Sequence, residues 1–360
     1  MNKNNYAVIM AGGIGSRFWP MSRTSYPKQF LDILNTGRTL LQSTYERFLK
    51  FVPNENIFII TSEEYVSIVQ QQLPLLPVAN IIGEPQRKNT APCIALISLK
   101  LKKMNPNANL IVSPSDHMIE DEEAFMQNCM DALAYTAQHN AFVTLGIKPA
   151  YANTGYGYIQ YESDDNATNI RPVKRFTEKP NKETAIEFFN DGSYLWNSGI
   201  FIWKAADVIN AFRLYMPGLF DIFACGLMDL NTSREAAAVK HIYNHCESIS
   251  VDYAILEKAT NVHVIPASFG WSDLGTWKSA WENFEKDNAK NAVAGNNTLM
   301  VDANGCIVHS TDKKLVLVGG VDDLIVVNTP DAILICKKEN EQQIKQYLEM
   351  VKESKGAMYL

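Results

Sequence analysis

Four short apolar runs within the first 150 residues, Tyr6 to Met10, Ile57 to Ile60, Asn109 to Val112 and Phe142 to Leu145, alternate with longer amphipathic stretches. The short runs are predicted strands. The stretches Leu40 to Phe51, Glu63 to Gln72, Ala91 to Met104 and Glu122 to His139 carry apolar residues at three- and four-residue spacing and are predicted helices. Ser62-Glu63-Glu64 and Thr90-Ala91-Pro92 supply helix start signals. Such alternation leaves few folds open: α/β, with a mostly parallel sheet covered on both faces. Sheets of this kind bind ligands beyond the carboxyl ends of their strands.

Residues 151 to 285 are less regular. Strand-like pieces at Tyr158 to Tyr161, Val173 to Phe176, Gly199 to Trp203 and Val262 to Pro266 mix with helices near 181 to 190 and 205 to 214. They are expected to elaborate the same domain, so residues 1 to 285 are read as one large domain. From residue 286 to 360 the pattern changes to short β runs, Thr298 to Val301, Cys306 to His309, Leu315 to Val318, Leu324 to Val327 and Ala332 to Cys336. Turns at Asn304-Gly305, Gly319-Gly320 and Thr329-Pro330 separate them, predicting a small β domain. A final amphipathic helix from Asn340 to Glu353 is expected to cap it and close an exposed edge.

Composition narrows the function. The 360 residues carry 33 Lys and Arg against 39 Asp and Glu, a net charge of −6, and 46% are apolar. This argues against a nucleic-acid-coating surface, which needs clustered basic residues. An anionic ligand must then be held by a local positive site. No apolar run approaches the roughly 18 to 20 residues that cross a bilayer, so no membrane partner is expected and the chain reads as cytoplasmic. The six cysteines lie far apart without a C-x-x-C pair and read as buried thiols.

Three segments carry chemistry. The first strand runs into Ala11-Gly12-Gly13-Ile14-Gly15-Ser16-Arg17, where glycines would let backbone N–H groups approach an anion. Neither G-x-x-x-x-G-K-[ST] nor G-x-G-x-x-G is complete here, and a tight strand-to-loop turn would explain the glycines equally well. Arg17 and Lys28 in the same loop shift the balance towards a polyphosphate, offering a forked donor and a point charge. In the second segment, Leu110-Ile111-Val112-Ser113-Pro114-Ser115-Asp116-His117, an aspartate stands at a strand tip. A carboxylate there suits Mg²⁺, which takes one or two carboxylates plus phosphate oxygens and water. Asp273 in Gly270-Trp271-Ser272-Asp273 is a distant partner, although each aspartate alone is more often a turn or cap residue. In the third, Phe176-Thr177-Glu178-Lys179-Pro180 sets a sugar-hydroxyl acceptor beside a cation, an arrangement also met in an ordinary charged turn. Gly155-Tyr156-Gly157-Tyr158 and Trp196-Asn197-Ser198-Gly199 could serve the same pocket. His241 and His245 lack the glutamate of a zincin motif and read as a plain helical surface.

Together these segments resemble the sugar-1-phosphate nucleotidylyltransferases, and within them the guanylyl-transferring branch that acts on mannose 1-phosphate. The resemblance rests on Ala11 to Pro20, Pro27-Lys28-Gln29-Phe30, Glu84-Pro85 with Asn89-Thr90-Ala91-Pro92, Ser115-Asp116-His117, Glu178-Lys179-Pro180, Trp196-Asn197-Ser198-Gly199 and Gly270-Trp271-Ser272-Asp273, in family order over residues 6 to 277. It implies a Rossmann-like, GT-A-like domain, with the later β repeats matching the family's small left-handed β-helix. It further implies that Gly12, Gly13, Gly15, Arg17 and Ser115 hold the GTP, with Arg17 and Lys28 neutralising charge at the reacting phosphates. Asp116 and Asp273 would bind Mg²⁺, and Glu84, Asn89 and Thr90 would read the base. Gly157, Glu178 and Asn197 would hold the sugar of mannose 1-phosphate, and Lys179 its phosphate.

Gln86-Arg87-Lys88 departs from the Gly-Arg pair common in the family and leaves the base contacts open. Another substrate, such as a manno-heptose 1-phosphate, keeps the same chemistry. A non-catalytic nucleotide-sugar sensor would be expected to lose one of Arg17, Lys28, Asp116 or Asp273, and all four are present. A homodimer is expected from the family. The isomerase domain that some members carry after the β-helix is expected to be absent.

Overall fold

The computed structural model describes residues 1–162, 169–295 and 297–360. Two compact units are each assembled from interleaved segments. The first comprises Met1–Gly12, Tyr45–Pro114 and Ile119–Trp271; the second comprises Gly13–Thr44, Ser115–Met118 and Ser272–Leu360.

The first unit is built on a nine-stranded sheet. Its strands are β1 (Asn5–Ala11), β2 (Ile57–Ser62), β3 (Ile81–Glu84), β4 (Asn109–Pro114), β5 (Phe142–Ile147), β6 (Tyr158–Tyr161), β7 (Arg171–Thr177), β8 (Tyr194–Lys204) and β9 (Val262–Ala267). The spatial order is β3-β2-β1-β4-β8-β5-β9-β7-β6. From β3 to β4 all pairs are parallel, as is β5 with β9. The eleven-residue β8 runs antiparallel between β4 and β5 and also pairs with β6, making the far half of the sheet mixed. Every residue of β2 is buried, the pattern of a strand covered on both faces.

Helix ends follow local capping chemistry. In α3 (Thr90–Met104) the Asn89 side chain accepts from the Thr90 N–H at 2.9 Å, and Ala91 through Leu101 are all buried. Asp121 caps α4 (Glu122–Gln138) by accepting from Ala124 N–H at 2.9 Å, with Glu122 and Glu123 facing the positive helix start. Asn181 does the same for α5 (Lys182–Asp191). The apolar faces of α3 and α6 (Ala205–Tyr215) join one core containing Trp203, Phe212 and Tyr243. The strand Ile81–Glu84 was not among the strands expected from the sequence.

The second unit holds α7 (Trp277–Asn283) and the six short strands β10 (Ala292–Ala294), β11 (Thr298–Val301), β12 (Ile307–Ser310), β13 (Val316–Gly319), β14 (Leu324–Asn328) and β15 (Ile333–Lys337). Parallel pairing sets Ile307 opposite Ile325 and Thr298 opposite Val316, an advance of 18 residues in each, whereas Ala292 stands opposite Ile307, an advance of 15. This is a β-helix-like stack, ended by β15 turning antiparallel along β14. The last helix, α8 (Ile344–Lys355), buries Ile344 in a cluster with Phe18, Trp277, Ile325 and Val327. It therefore packs into the core of the small β domain.

Of the six cysteines, Cys93, Cys129, Cys246 and Cys306 are buried thiols as expected, whereas Cys336 is half-buried and Cys225 exposed. His241 and His245 stand on an exposed helix face, with ring centroids 4.4 Å apart. No helix among the described residues is long and apolar enough to cross a membrane.

Candidate active site

In the second unit the glycine-rich segment is a shaped turn. Gly15 adopts φ +65°, and a Cβ there would strike the Cβ of Lys28, so only glycine lets the loop close over that lysine. Ser22 donates to the Ile14 carbonyl at 2.8 Å and Gln29 to the Gly13 carbonyl at 2.9 Å, holding the turn from outside.

Lys28 is buried, with its ammonium among acceptors and 5.6 Å from the centroid of the Phe18 ring. Nζ lies 2.8 Å from Asp116 Oδ2 and donates to the carbonyls of Leu274 at 2.9 Å and Asp273 at 3.0 Å. Burial pushes the Asp116 carboxyl up, but the charge of Lys28 and then that of His117 outweigh it and hold the group below the usual carboxylate range. Asp273 is oriented by Gly275, whose N–H donates to Oδ1 at 3.0 Å. Ser115 is buried, and its carbonyl accepts from the Thr44 hydroxyl at 3.1 Å.

One cleft of about 400 Å³ has Gly15, Arg17, Lys28, Asp116, Asp273 and Lys345 in its wall, while Gly12, Gly13 and Ser115 lie outside its lining. The Nε of Arg17 is buried there without a hydrogen-bond partner among the described residues, a donor an anion would satisfy. Sequence reasoning missed Lys345, because nothing local ties a lysine of the last helix to residue 17.

The first unit holds two further groups. Glu84, at the end of β3, is buried and accepts from the Tyr243 hydroxyl at 2.7 Å. Burial pushes its carboxyl up to about 7, against the opposing pull of that hydrogen bond. Its other oxygen lies 3.7 Å from where a Cβ on Gly12 would be. Beside it Thr90 accepts from Val251 N–H at 2.9 Å. At the departure from the family pattern, Gln86 donates to Asn244 at 2.7 Å and Arg87 lies over the Tyr65 ring.

The second group gathers Gly157, Glu178, Lys179 and Asn197. Asn197 donates to Gly157 O through its backbone N–H at 2.8 Å and to Asp252 Oδ1 through Nδ2 at 3.0 Å, while accepting from Thr144 at 3.0 Å. Its amide is thereby fixed in one orientation. A Cβ on Gly157 would stand 2.5 Å from Glu178 Oε2. Glu178 pairs with Lys179, which is more than half exposed and takes φ +45°. Burial and then the Glu178 charge push the Asp252 carboxyl up to about 7. Asp252 and Thr144 carried no sequence signal, since each meets Asn197 only through the fold.

A glycine turn over a buried lysine, an arginine whose Nε lacks a partner among the described residues, and two aspartates thus share one cleft. Residues 6–290 match the model of the nucleotidyl transferase family, and residues 296–353 that of the mannose-phosphate isomerase/GMP-like beta-helix domain. The chain is 38% identical to a mannose-1-phosphate guanylyltransferase of Salmonella montevideo, over 96% of this chain and 73% of the relative. It is 36% identical to mannose-1-phosphate guanylyltransferase 2 of Escherichia coli O157:H7, over 98% and 75%. The crystal structure of mannose-1-phosphate geranyltransferase from Thermus thermophilus superimposes with a TM-score of 0.85 at 30% identity, covering 97% of this chain and 99% of that one. The chain belongs to the nucleotidyl transferase family, in the branch of the mannose-1-phosphate guanylyltransferases.

Proposed function

We propose that the protein transfers a guanylyl group from GTP to α-D-mannose 1-phosphate, forming GDP-mannose and diphosphate. The observation that carries the reading is the cleft in which Arg17 and Lys28 meet Asp116 and Asp273. The names of the two relatives, each more than a third identical, support this substrate pair.

The attacking oxygen of mannose 1-phosphate is already anionic, so no protein nucleophile is required. That oxygen bonds to the α-phosphorus as the bond from phosphorus to the bridging oxygen of the β-phosphate breaks, and diphosphate carries away the electron pair. The protein's task is to bring two anions together in line. Backbone N–H groups of the Gly12 to Arg17 turn and the Arg17 guanidinium would hold the triphosphate. Lys28, locked between Asp116 and two carbonyls, presents a preorganised positive charge. Asp116 and Asp273 suit a magnesium ion, because two carboxylates leave its other positions for phosphate oxygens and water. When bound, Mg²⁺ would neutralise phosphate charge.

Glu84 is the proposed base-reading acceptor, with Asn89 and Thr90 beside it. Asn197, Gly157 and Glu178 are the proposed sugar contacts, with Lys179 on the sugar phosphate. The activity is tested by diphosphate release from GTP with mannose 1-phosphate and Mg²⁺, manno-heptose 1-phosphate being the competing substrate. A homodimer and a cytoplasmic location belong to the same proposal; light scattering on the purified protein tests the dimer.

A further inference from the structure

Lys345 is the second residue of α8, inside the stretch matched by the β-helix family model and not among the motifs of the transferase reading. Its neighbour Ile344 is fully buried with Phe18, Trp19, Leu274 and Trp277, which fixes the start of the helix beside the glycine-rich loop. The chain after it is tied to the same loop. Trp19 Nε1 donates to the Tyr359 carbonyl at 2.6 Å, Arg23 donates to that same carbonyl, and Arg23 pairs with Asp331 at 2.8 Å. Just before the helix, Glu341 accepts from Lys278 N–H at 2.9 Å. The backbone carrying Lys345 is thus anchored through several separate contacts.

From that anchored position the exposed Lys345 lines the cleft holding Arg17, Lys28, Asp116 and Asp273. It has no ion pair or hydrogen bond among the described residues, whereas the ammonium of Lys28 is already engaged by Asp116 and two carbonyls. A helix residue in that place with no structural partner is a cation available to a ligand. The last helix therefore adds a cation to the cleft lined by Arg17 and Lys28.

We propose that Lys345 binds the β,γ end of the nucleoside triphosphate, the part that leaves as diphosphate. Diphosphate must depart into solvent, and Lys345 is exposed where it lines the cleft. This inference rests on the proposed guanylyl transfer and adds a residue to it.

The test compares Lys345→Gln and Lys345→Arg with the unmodified protein in both reaction directions. Losing one ammonium–phosphate contact is expected to raise KM for GTP and for diphosphate about tenfold. KM for mannose 1-phosphate and GDP-mannose stays within about twofold. Lys345→Arg recovers most of the loss, which a merely structural role would not require. Unchanged KM for both GTP and diphosphate in Lys345→Gln overturns the proposal, as does an effect confined to mannose 1-phosphate. Calorimetric binding of diphosphate needs no turnover. An unmodified protein that binds diphosphate about tenfold more tightly than Lys345→Gln supports the Lys345 site even if the guanylyl-transfer reading fails, and equal binding sinks it.

Discussion

The Nζ of Lys28 lies 2.8 Å from Asp116 Oδ2 although 88 residues separate them in sequence, and the same ammonium donates to Asp273 and Leu274. One buried cation thus holds the Asp116 carboxylate and the backbone that carries Asp273. Replacing it with Met removes a fixed positive charge and leaves Asp116 without its counter-ion. Lys28→Met is expected to lower kcat/KM for GTP by about 10² to 10³. Steady-state kinetics at saturating Mg²⁺ check it, and a change below threefold would show that the pair is structural only.

Asp273→Asn separates charge from shape. The asparagine oxygen can still accept from the Gly275 N–H, so the loop keeps its form while the cleft loses one negative charge. Turnover is expected to fall at least about a hundredfold, with GTP affinity changed much less and the Mg²⁺ requirement shifted to higher concentration. Equal Mg²⁺ titrations for the two proteins would remove Asp273 from the metal site.

Gly157→Ala tests the sugar contacts. The new methyl would stand 2.5 Å from Glu178 Oε2 and 3.2 Å from Asn197 Cβ, so Glu178 must move. KM for mannose 1-phosphate is expected to rise about tenfold or more while KM for GTP holds, measured with each substrate varied in turn.

Glu84 gives a pH signature. Its folded carboxyl sits at about 7, above the unfolded value of about 4.3, so between these the folded chain binds more protons and its stability falls as pH rises. The cost from this group alone is on the order of 3 kcal/mol above pH 7. Glu84→Gln removes that titration. Its Tm relative to the unmodified protein should therefore climb between pH 5 and pH 8, and a constant difference by calorimetry would contradict the buried, protonated state.

Much of the architecture is legible in the sequence, because helix and strand periods are local. The expected Tyr6 to Met10 lies within the observed Asn5–Ala11, and Tyr158 to Tyr161 and Thr298 to Val301 have the expected bounds. The antiparallel insertion of β8 between β4 and β5 left no such mark, since strand order depends on crossovers and not on period. Nor did the interleaving of Gly13–Thr44 with Ser272–Leu360 in one unit. In the site, glycine turns and strand-tip carboxylates are short motifs and were legible. The hydroxyl of Tyr243 on Glu84, 159 residues away, the Asp252 partner of Asn197, and Lys345 in the cleft were not. Each of those pairings exists only because the fold brings distant segments together.

The most direct test is diphosphate release on mixing the purified protein with GTP, Mg²⁺ and a panel of hexose and heptose 1-phosphates, with ATP, UTP and dTTP in parallel. The predicted result is turnover with GTP and mannose 1-phosphate exceeding every other pair by at least about tenfold in kcat/KM. Absence of diphosphate with every pair, or a clear preference for another nucleotide or sugar phosphate, would contradict it.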